Sequence, residues 1–244
     1  MRPKSKKMRI TITNGTIPLM RSIKLQNRPG TGTYIKGQER IEQILVAAQG
    51  ILIDKGYSGL SMRKIATAVG ITIGNLHYYY PSKKDLLSDL LDHVIEGYLL
   101  EFNTARAEAG SSALDQFIAI INFIVDDLTT HETTNFFPEL WALANHDEQA
   151  AERMHELYRK ARLDINDLIA QINPTLSHQQ REEVGLFISA SLEGLTPFIG
   201  NGKPWNSNVA NIKRIAIKSF VDLVTDIRDE DIASSKSELI AACD

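Results

Sequence analysis

The sequence predicts an all-α protein, and three observations carry the prediction. Apolar residues recur every three to four positions from residue 37 onward, the period of one helix face. Residues that stop or start helices (Gly56, Ser61, Gly70, Thr72, Pro81, Ser82 and Ser177) punctuate these runs. The one segment that alternates like a strand, Arg9 to Thr13, has no partner strand in view.

The first helix carries Ile41, Ile44, Leu45, Ala48 and Leu52 on one stripe and runs to about Lys55. Gly56 ends it in a left-handed conformation, and Tyr57 and Leu60 close the connection. Ser61 caps a second helix whose Ile65, Ala66 and Val69 face inward. Gly70 makes a tight turn, Ile71 plugs it, and Thr72 caps a third helix. Pro81 stops that helix, because proline has no backbone donor and restricts the residue before it. Ser82 and Asp85 then form a capping box that opens a long fourth helix, with Leu86, Leu87, Leu90, Leu91 and Val94 inside.

A loop at Ala109 to Ser112 precedes the second half. There, Leu114 to about Thr130 is apolar on nearly every side and should be central. Further helices are expected from Phe136 to Asn145, Glu148 to Ile172, Ser177 to about Leu195 (opened by a Ser177–Gln180 capping box), and Asn206 to about Arg228. The expected organisation is an arm over residues 1–36, a three-helix unit over 37–92, a helical domain over 93–229, and a frayed tail over 230–244.

Bulk properties set limits on function. Of 244 residues, 43% are apolar, enough for a substantial core. No stretch approaches the roughly 18 consecutive apolar residues of a membrane span, so no membrane partner is expected. The single cysteine, Cys243, excludes a disulfide framework, and a cytoplasmic location is expected. Net charge is −3, unevenly spread. Residues 1–36 hold nine of the 27 Lys and Arg and none of the 30 Asp and Glu, which leaves 18 basic against 30 acidic residues in the body. A basic arm can touch a DNA backbone or minor groove; a solvated tail is the more ordinary reading of such a terminus.

Most of the chemistry sits on the third helix. With Leu76 pointing inward, a wheel of 100° per residue exposes Gly74, Asn75, His77 and Tyr78. Ile73 and Tyr79 fall near the core boundary and Tyr80 inside. Gly74 costs the helix roughly 1 kcal/mol against alanine, which makes sense where the backbone must approach something closely. Asn75 can pair with adenine, His77 with a phosphate or a guanine edge, and tyrosine hydroxyls with phosphates. Lys83 and Lys84 open the fourth helix, whose positive end repels them. An external phosphate would resolve that conflict. The alternative is a helical hairpin with a protein-binding face.

Residues 38–92 resemble the DNA-binding domain of TetR-family transcriptional regulators. The resemblance lies in Gly56-Tyr57, Leu60-Ser61-Met62-Arg63, Ile65-Ala66, Val69-Gly70-Ile71-Thr72, Gly74-Asn75-Leu76 and Tyr79-Tyr80-x-Ser82-Lys83-x-x-Leu86. It implies a dimeric, all-helical repressor whose third helix enters the major groove of a double-stranded operator. It also implies DNA contacts at the positions of Thr72, Ile73, Gly74, Asn75, His77, Tyr78, Tyr79 and Lys83, and near Ser61 and Arg63. Two positions depart from the family pattern: Ile73 stands where lysine or arginine is frequent, and His77 where tyrosine is usual. Both bear on which operator is read.

The resemblance further implies a C-terminal domain that binds a small effector among its middle helices and dimerises through its last two long helices. Phe123, Phe137, Trp141, Tyr158 and Phe187 could line an effector pocket, with Asn122, Glu139, His146 and His155 as polar groups. Plain core is the commoner fate of such aromatics. Aromatic and acidic content together would suit a cationic ligand. For a homodimer interface the candidates are Phe187, Ser191, Leu195, Ile212 and Phe220, among small residues that let helices approach. An intramolecular core is the alternative. Against catalysis, Glu152-x-x-His155 has di-metal spacing but no second copy, and the glycine pairs near residues 30 and 200 lack nucleotide-loop spacing. No metal and no cofactor are expected.

Overall fold

The computed structural model describes residues 35–232. Most of the basic arm, including the Arg9 to Thr13 segment, and the end of the tail with Cys243 lie outside the described residues. Among the described residues every regular element is helical: α1 Ile35–Gly59, α2 Met62–Val69, α3 Ile73–Tyr79, α4 Lys83–Glu108, α5 Ala113–Leu128, α6 His131–Ala144, α7 Glu148–Ile172, α8 His178–Glu193, α9 Thr196–Ile199, α10 Val209–Asp226 and α11 Asp229–Ile232. A single 3₁₀ turn, Asn206–Asn208, leads into α10.

Local chemistry explains the first four elements. Gly56 sits inside α1 at φ 66, ψ 176, a region closed to residues with a Cβ, so the helix turns there as its glycine requires. After α2, Gly70 at φ 71 donates to Thr67 O and Ile71 N donates to Ala66 O at 3.0 Å. These two bonds are the Schellman closure that satisfies the last carbonyls of α2. Thr72 Oγ1 accepts from Asn75 N at 3.1 Å to start α3, and Ser82 Oγ accepts from Asp85 N at 3.1 Å to start α4.

Two apolar cores form. The first joins α1, α2, α3 and the opening turns of α4 through Ile44, Leu45, Ile65, Leu76, Tyr80 and Leu90. It also takes in Phe136, Phe137, Leu140 and Leu143 of α6 and Leu157 of α7. The border expected between residues 92 and 93 thus falls inside the unbroken α4, and α6 packs directly on α1. The second core gathers around α5, which touches α4, α6, α7, α8 and α10 and is central as its all-round apolarity predicts.

Three boundaries differ from expectation. Helix α6 starts five residues early, at His131, because Thr130 caps it and accepts from Thr133 N at 3.1 Å. Short helical turns α9 and α11 occupy segments expected to be irregular, the latter tied down by Gln180, whose side-chain amide donates to Asp229. The last long helix begins at Val209 rather than Asn206, which belongs to the 3₁₀ turn.

Candidate nucleic-acid interface and effector region

Helix α3 is held from beneath by Leu76 and Tyr80, 0% and 1% exposed. Its outer surface carries Thr72, Ile73, Gly74, Asn75, His77 and Tyr78, all exposed. Tyr79 is half-buried and meets Tyr78 edge-on at 5.2 Å between ring centroids. Ile73 is 43% exposed, so the side chain expected at the core boundary stands out on the reading face. A Cβ added at Gly74 would meet only Thr72 Oγ1, at 4.0 Å. Nothing inside the protein therefore requires glycine here, and the backbone is open to close approach from outside.

His77 adds a constraint that its sequence position could not reveal. Its Nδ1 lies 3.0 Å from Pro81 O. A carbonyl only accepts, so Nδ1 carries a proton, and the tautomer this selects has Nε2 as its acceptor.

The basic residues separate into two groups. Arg63 and Lys84 are exposed. Lys83 was expected on a phosphate, but its ammonium donates to Tyr57 O at 3.2 Å and lies 3.7 Å above the Tyr57 ring. Burial lowers its pKa. In this structure Lys83 braces the α1–α2 connection instead of standing free. Ser61 Oγ accepts from Lys64 N at 3.4 Å, and Lys64 Nζ donates to Gly59 O at 2.9 Å, so both serve the start of α2.

The expected effector residues also divide. Phe137 and Tyr158 line one small cavity of about 20 Å³, bounded also by Tyr98, Leu157, Leu192 and Glu193. Trp141 adjoins it, its indole N–H donating to the Tyr158 hydroxyl at 2.8 Å. Phe123 does not line it, but meets Tyr98 at a tilt, 5.5 Å between ring centroids, and Phe102 edge-on at 6.3 Å. Phe187 does not join them: it is 59% exposed on the outer side of α8.

None of the expected polar groups lines this cavity. Asn122 bonds Ile118 O of its own helix, Glu139 turns to Tyr57 N, and His146 and His155 are exposed. Glu193 is the carboxylate there, unanticipated because one Glu after Ser-Ala-Ser-Leu reads as a helix end. Burial raises its pKa to about 7, against a hydrogen bond from Tyr158, with Asp127 adding repulsion. Asp127 is itself buried and raised to about 6 by desolvation, which the hydrogen bond from Thr133 Oγ1 at 2.9 Å opposes.

Among the interface candidates, Phe187 is exposed, while Ser191, Leu195 and Ile212 are half-buried. Phe220 is 7% exposed and belongs to the second core of its own chain. The apolar groups that α8, α9 and α10 do present outward are Leu186, Phe187, Phe198 and Ile215. Glu152 and His155 lie exposed on α7, and among the described residues no group of three or more His, Cys, Asp or Glu could hold a metal ion. No described helix is long and apolar enough to cross a membrane.

Residues 44–90, the segment that forms the turn and α3, match the family model of bacterial regulatory proteins of the tetR family. Residues 114–208 match the C-terminal model of BetI-type transcriptional repressors. The chain belongs to the TetR family of transcriptional regulators. It is therefore a DNA-binding regulator of helix-turn-helix type and not an enzyme. Relatives include an uncharacterised HTH-type regulator of Xanthobacter autotrophicus, 27% identical over 65% of this chain and 76% of that one. The regulator BetI of Stenotrophomonas maltophilia is 26% identical over 66% and 82%. A regulator from Rhodococcus sp. Rha1 shares the fold at TM-score 0.63 and 16% identity, over 77% of this TetR-family chain and 98% of its own. A transcriptional regulator from Saccharomonospora viridis, solved in complex with choline, superposes at TM-score 0.62 with 21% identity, over 75% and 96%.

Proposed function

We propose that this regulator is a repressor that binds a two-fold symmetric operator as a homodimer and leaves it when a small effector binds the C-terminal domain. The observation that carries the reading is the α3 face: six exposed residues held by two fully buried ones, with a glycine that lets a surface approach the backbone closely. Asn75 and Tyr78 supply base-edge and phosphate donors. Ile73 offers an apolar contact to a thymine methyl, and His77 an acceptor to an amino group of adenine or cytosine. Exposed Arg63 and Lys84 suit backbone phosphates.

One such helix reads only a few base pairs, so a second copy is needed to reach a paired half-site 34–36 Å away. The outward Phe187 of α8 supports a self-complementary contact between copies. Small-molecule release is supported by the match to BetI-type repressors and by the choline complex of the Saccharomonospora relative.

Helix α6 offers the route between the halves. Its Phe137 and Trp141 border the aromatic region, while its Glu139 accepts from Tyr57 N at 2.7 Å just before α2. A ligand that prefers one position of α6 would shift the reading heads along with α4, and only to the extent of that preference. The test is selection of bound duplexes from a random pool, repeated with candidate effectors. Enrichment of symmetric sites is expected; enrichment of single half-sites only, or of nothing, would reject the dimeric operator reading.

A further inference from the structure

An open groove of about 510 Å³ lies between α6, α7, α8 and the start of α9. Its walls are largely apolar: Trp141, Met154, Leu186 and Pro197. Tyr158, Ser189 and Glu193 line this groove and also the small inner cavity, so they form the partition between the two. Across the partition Trp141 Nε1 donates to the Tyr158 hydroxyl at 2.8 Å, and the Glu193 carboxylate lines both spaces together with Tyr158.

The charge of Glu193 has no counterpart. Among the described residues no lysine or arginine forms an ion pair with it, and Arg162, although on the groove wall, is not within pairing distance. Another carboxylate, Asp127, makes the anion costlier. Glu193 is half-buried, and charges partly withdrawn from water are ordinarily paired.

We propose that this groove is the effector site and takes an organic cation with an apolar body, its charged head seated on the Glu193 carboxylate beside the Tyr158 and Trp141 rings. The inference rests on the ligand-released reading above and narrows it to a ligand class. Each part of the site selects for that chemistry. The unpaired carboxylate rewards a positive head, the ring faces attract it through their quadrupoles, and the apolar walls accept a hydrocarbon body. An anion would meet Glu193 and Asp127 together. A neutral hydrocarbon would fill the walls but leave the carboxylate without a partner. Burial also holds much of Glu193 protonated near neutrality, so seating the cation expels a proton and binding strengthens as pH rises from 6 to 8.

Phenyltrimethylammonium and its uncharged isostere tert-butylbenzene separate charge from shape. Each is titrated into the full chain carrying Trp205→Phe, which leaves Trp141 as the only tryptophan. Saturable quenching is expected, with the cation bound about tenfold or more tightly than the hydrocarbon. Glu193→Gln should erase that ratio while tert-butylbenzene still binds, which shows the variant is folded. Equal affinities, no binding of either compound, or a ratio that survives Glu193→Gln overturns the proposal. Operator affinity is measured in parallel. A cation that binds without releasing DNA rejects the release reading but leaves the cation site. Release by an uncharged compound that does not need Glu193 rejects the site and leaves the release reading.

Discussion

The backbone N–H of Tyr57 donates to Glu139 Oε2 at 2.7 Å, joining residues 82 positions apart. The preceding Gly56 lies at φ 66, and a Cβ there would come within 2.9 Å of Glu139 Oε1. The turn and the carboxylate are therefore fitted to each other. Replacing Glu139 with alanine leaves a partly buried donor without its charged acceptor, a loss of about 1–3 kcal/mol. Gly56→Ala forces a side chain into a region only glycine occupies, again about 1–3 kcal/mol. Because both act on one contact, urea denaturation of the double variant should fall short of the two losses added. If α6 carries the signal, Glu139→Ala should also keep effector affinity while weakening the effector's influence on operator binding.

Adjacent lysines should behave differently. Lys83 is committed to the Tyr57 carbonyl and ring. Lys83→Ala is expected to lower stability by about 0.5–2 kcal/mol and to leave the salt dependence of DNA binding nearly unchanged. Lys84 is exposed at the same helix start. Lys84→Ala should leave stability alone and reduce the slope of log affinity against log salt by about one. Binding isotherms at several salt concentrations, paired with melting curves, check both. The opposite pattern would return Lys83 to the phosphate backbone.

The reading helix was legible in the sequence because every signal that bounds it is local. Gly70 needs its left-handed φ, Thr72 accepts from a residue three positions on, and Pro81 cannot continue a helix. One wheel then separates buried Leu76 and Tyr80 from exposed Asn75 and Tyr78. The contact that Lys83 makes with Tyr57 was not legible, because that partner is 26 residues back, in a connection whose path only the assembled core defines. The start of α6 was missed for a related reason. Thr133 and Thr134 look like loop residues, yet both are buried, with hydroxyls donating to Asp127 and to Leu128 O. Glu193 carried no sequence signal at all. Its importance comes from Tyr158 and Asp127, which reach it from other helices.

Phe187 and Phe220 test the interface. Both are aromatic residues on late helices, and periodicity alone gives them the same role. Phe187 is 59% exposed and Phe220 is 7% exposed. Phe187→Glu should keep the fold and reduce self-association, seen as a lower mass in sedimentation and weaker operator binding. Phe220→Ala should instead cost about 3–5 kcal/mol of stability, as expected for a large core side chain lost to a cavity. A Phe187→Glu protein with unchanged mass would move the dimer contact away from this face of α8.

Glu193 makes stability depend on pH in a direction opposite to that of a salt-bridged carboxylate. Its pKa rises from the ordinary 4.5 to about 7 in the folded chain. Between those values the folded state binds the proton and the unfolded state does not, so stability falls as pH rises. The contribution is fully present below about 4.5 and gone above about 7, a change on the order of 3 kcal/mol. Asp127, raised to about 6, adds a smaller fall of the same sign at lower pH. Glu193→Gln keeps an uncharged group that can still bond Tyr158 and removes the main drop. Melting temperatures from pH 5 to 8 should therefore converge for the two proteins in acid, and the variant should be the more stable at pH 8. Parallel curves across the range would mean that Glu193 is ionised throughout, with its charge already balanced. Added phenyltrimethylammonium should raise the melting temperature of the parent more at pH 8 than at pH 6, because only the ionised carboxylate can hold the cation.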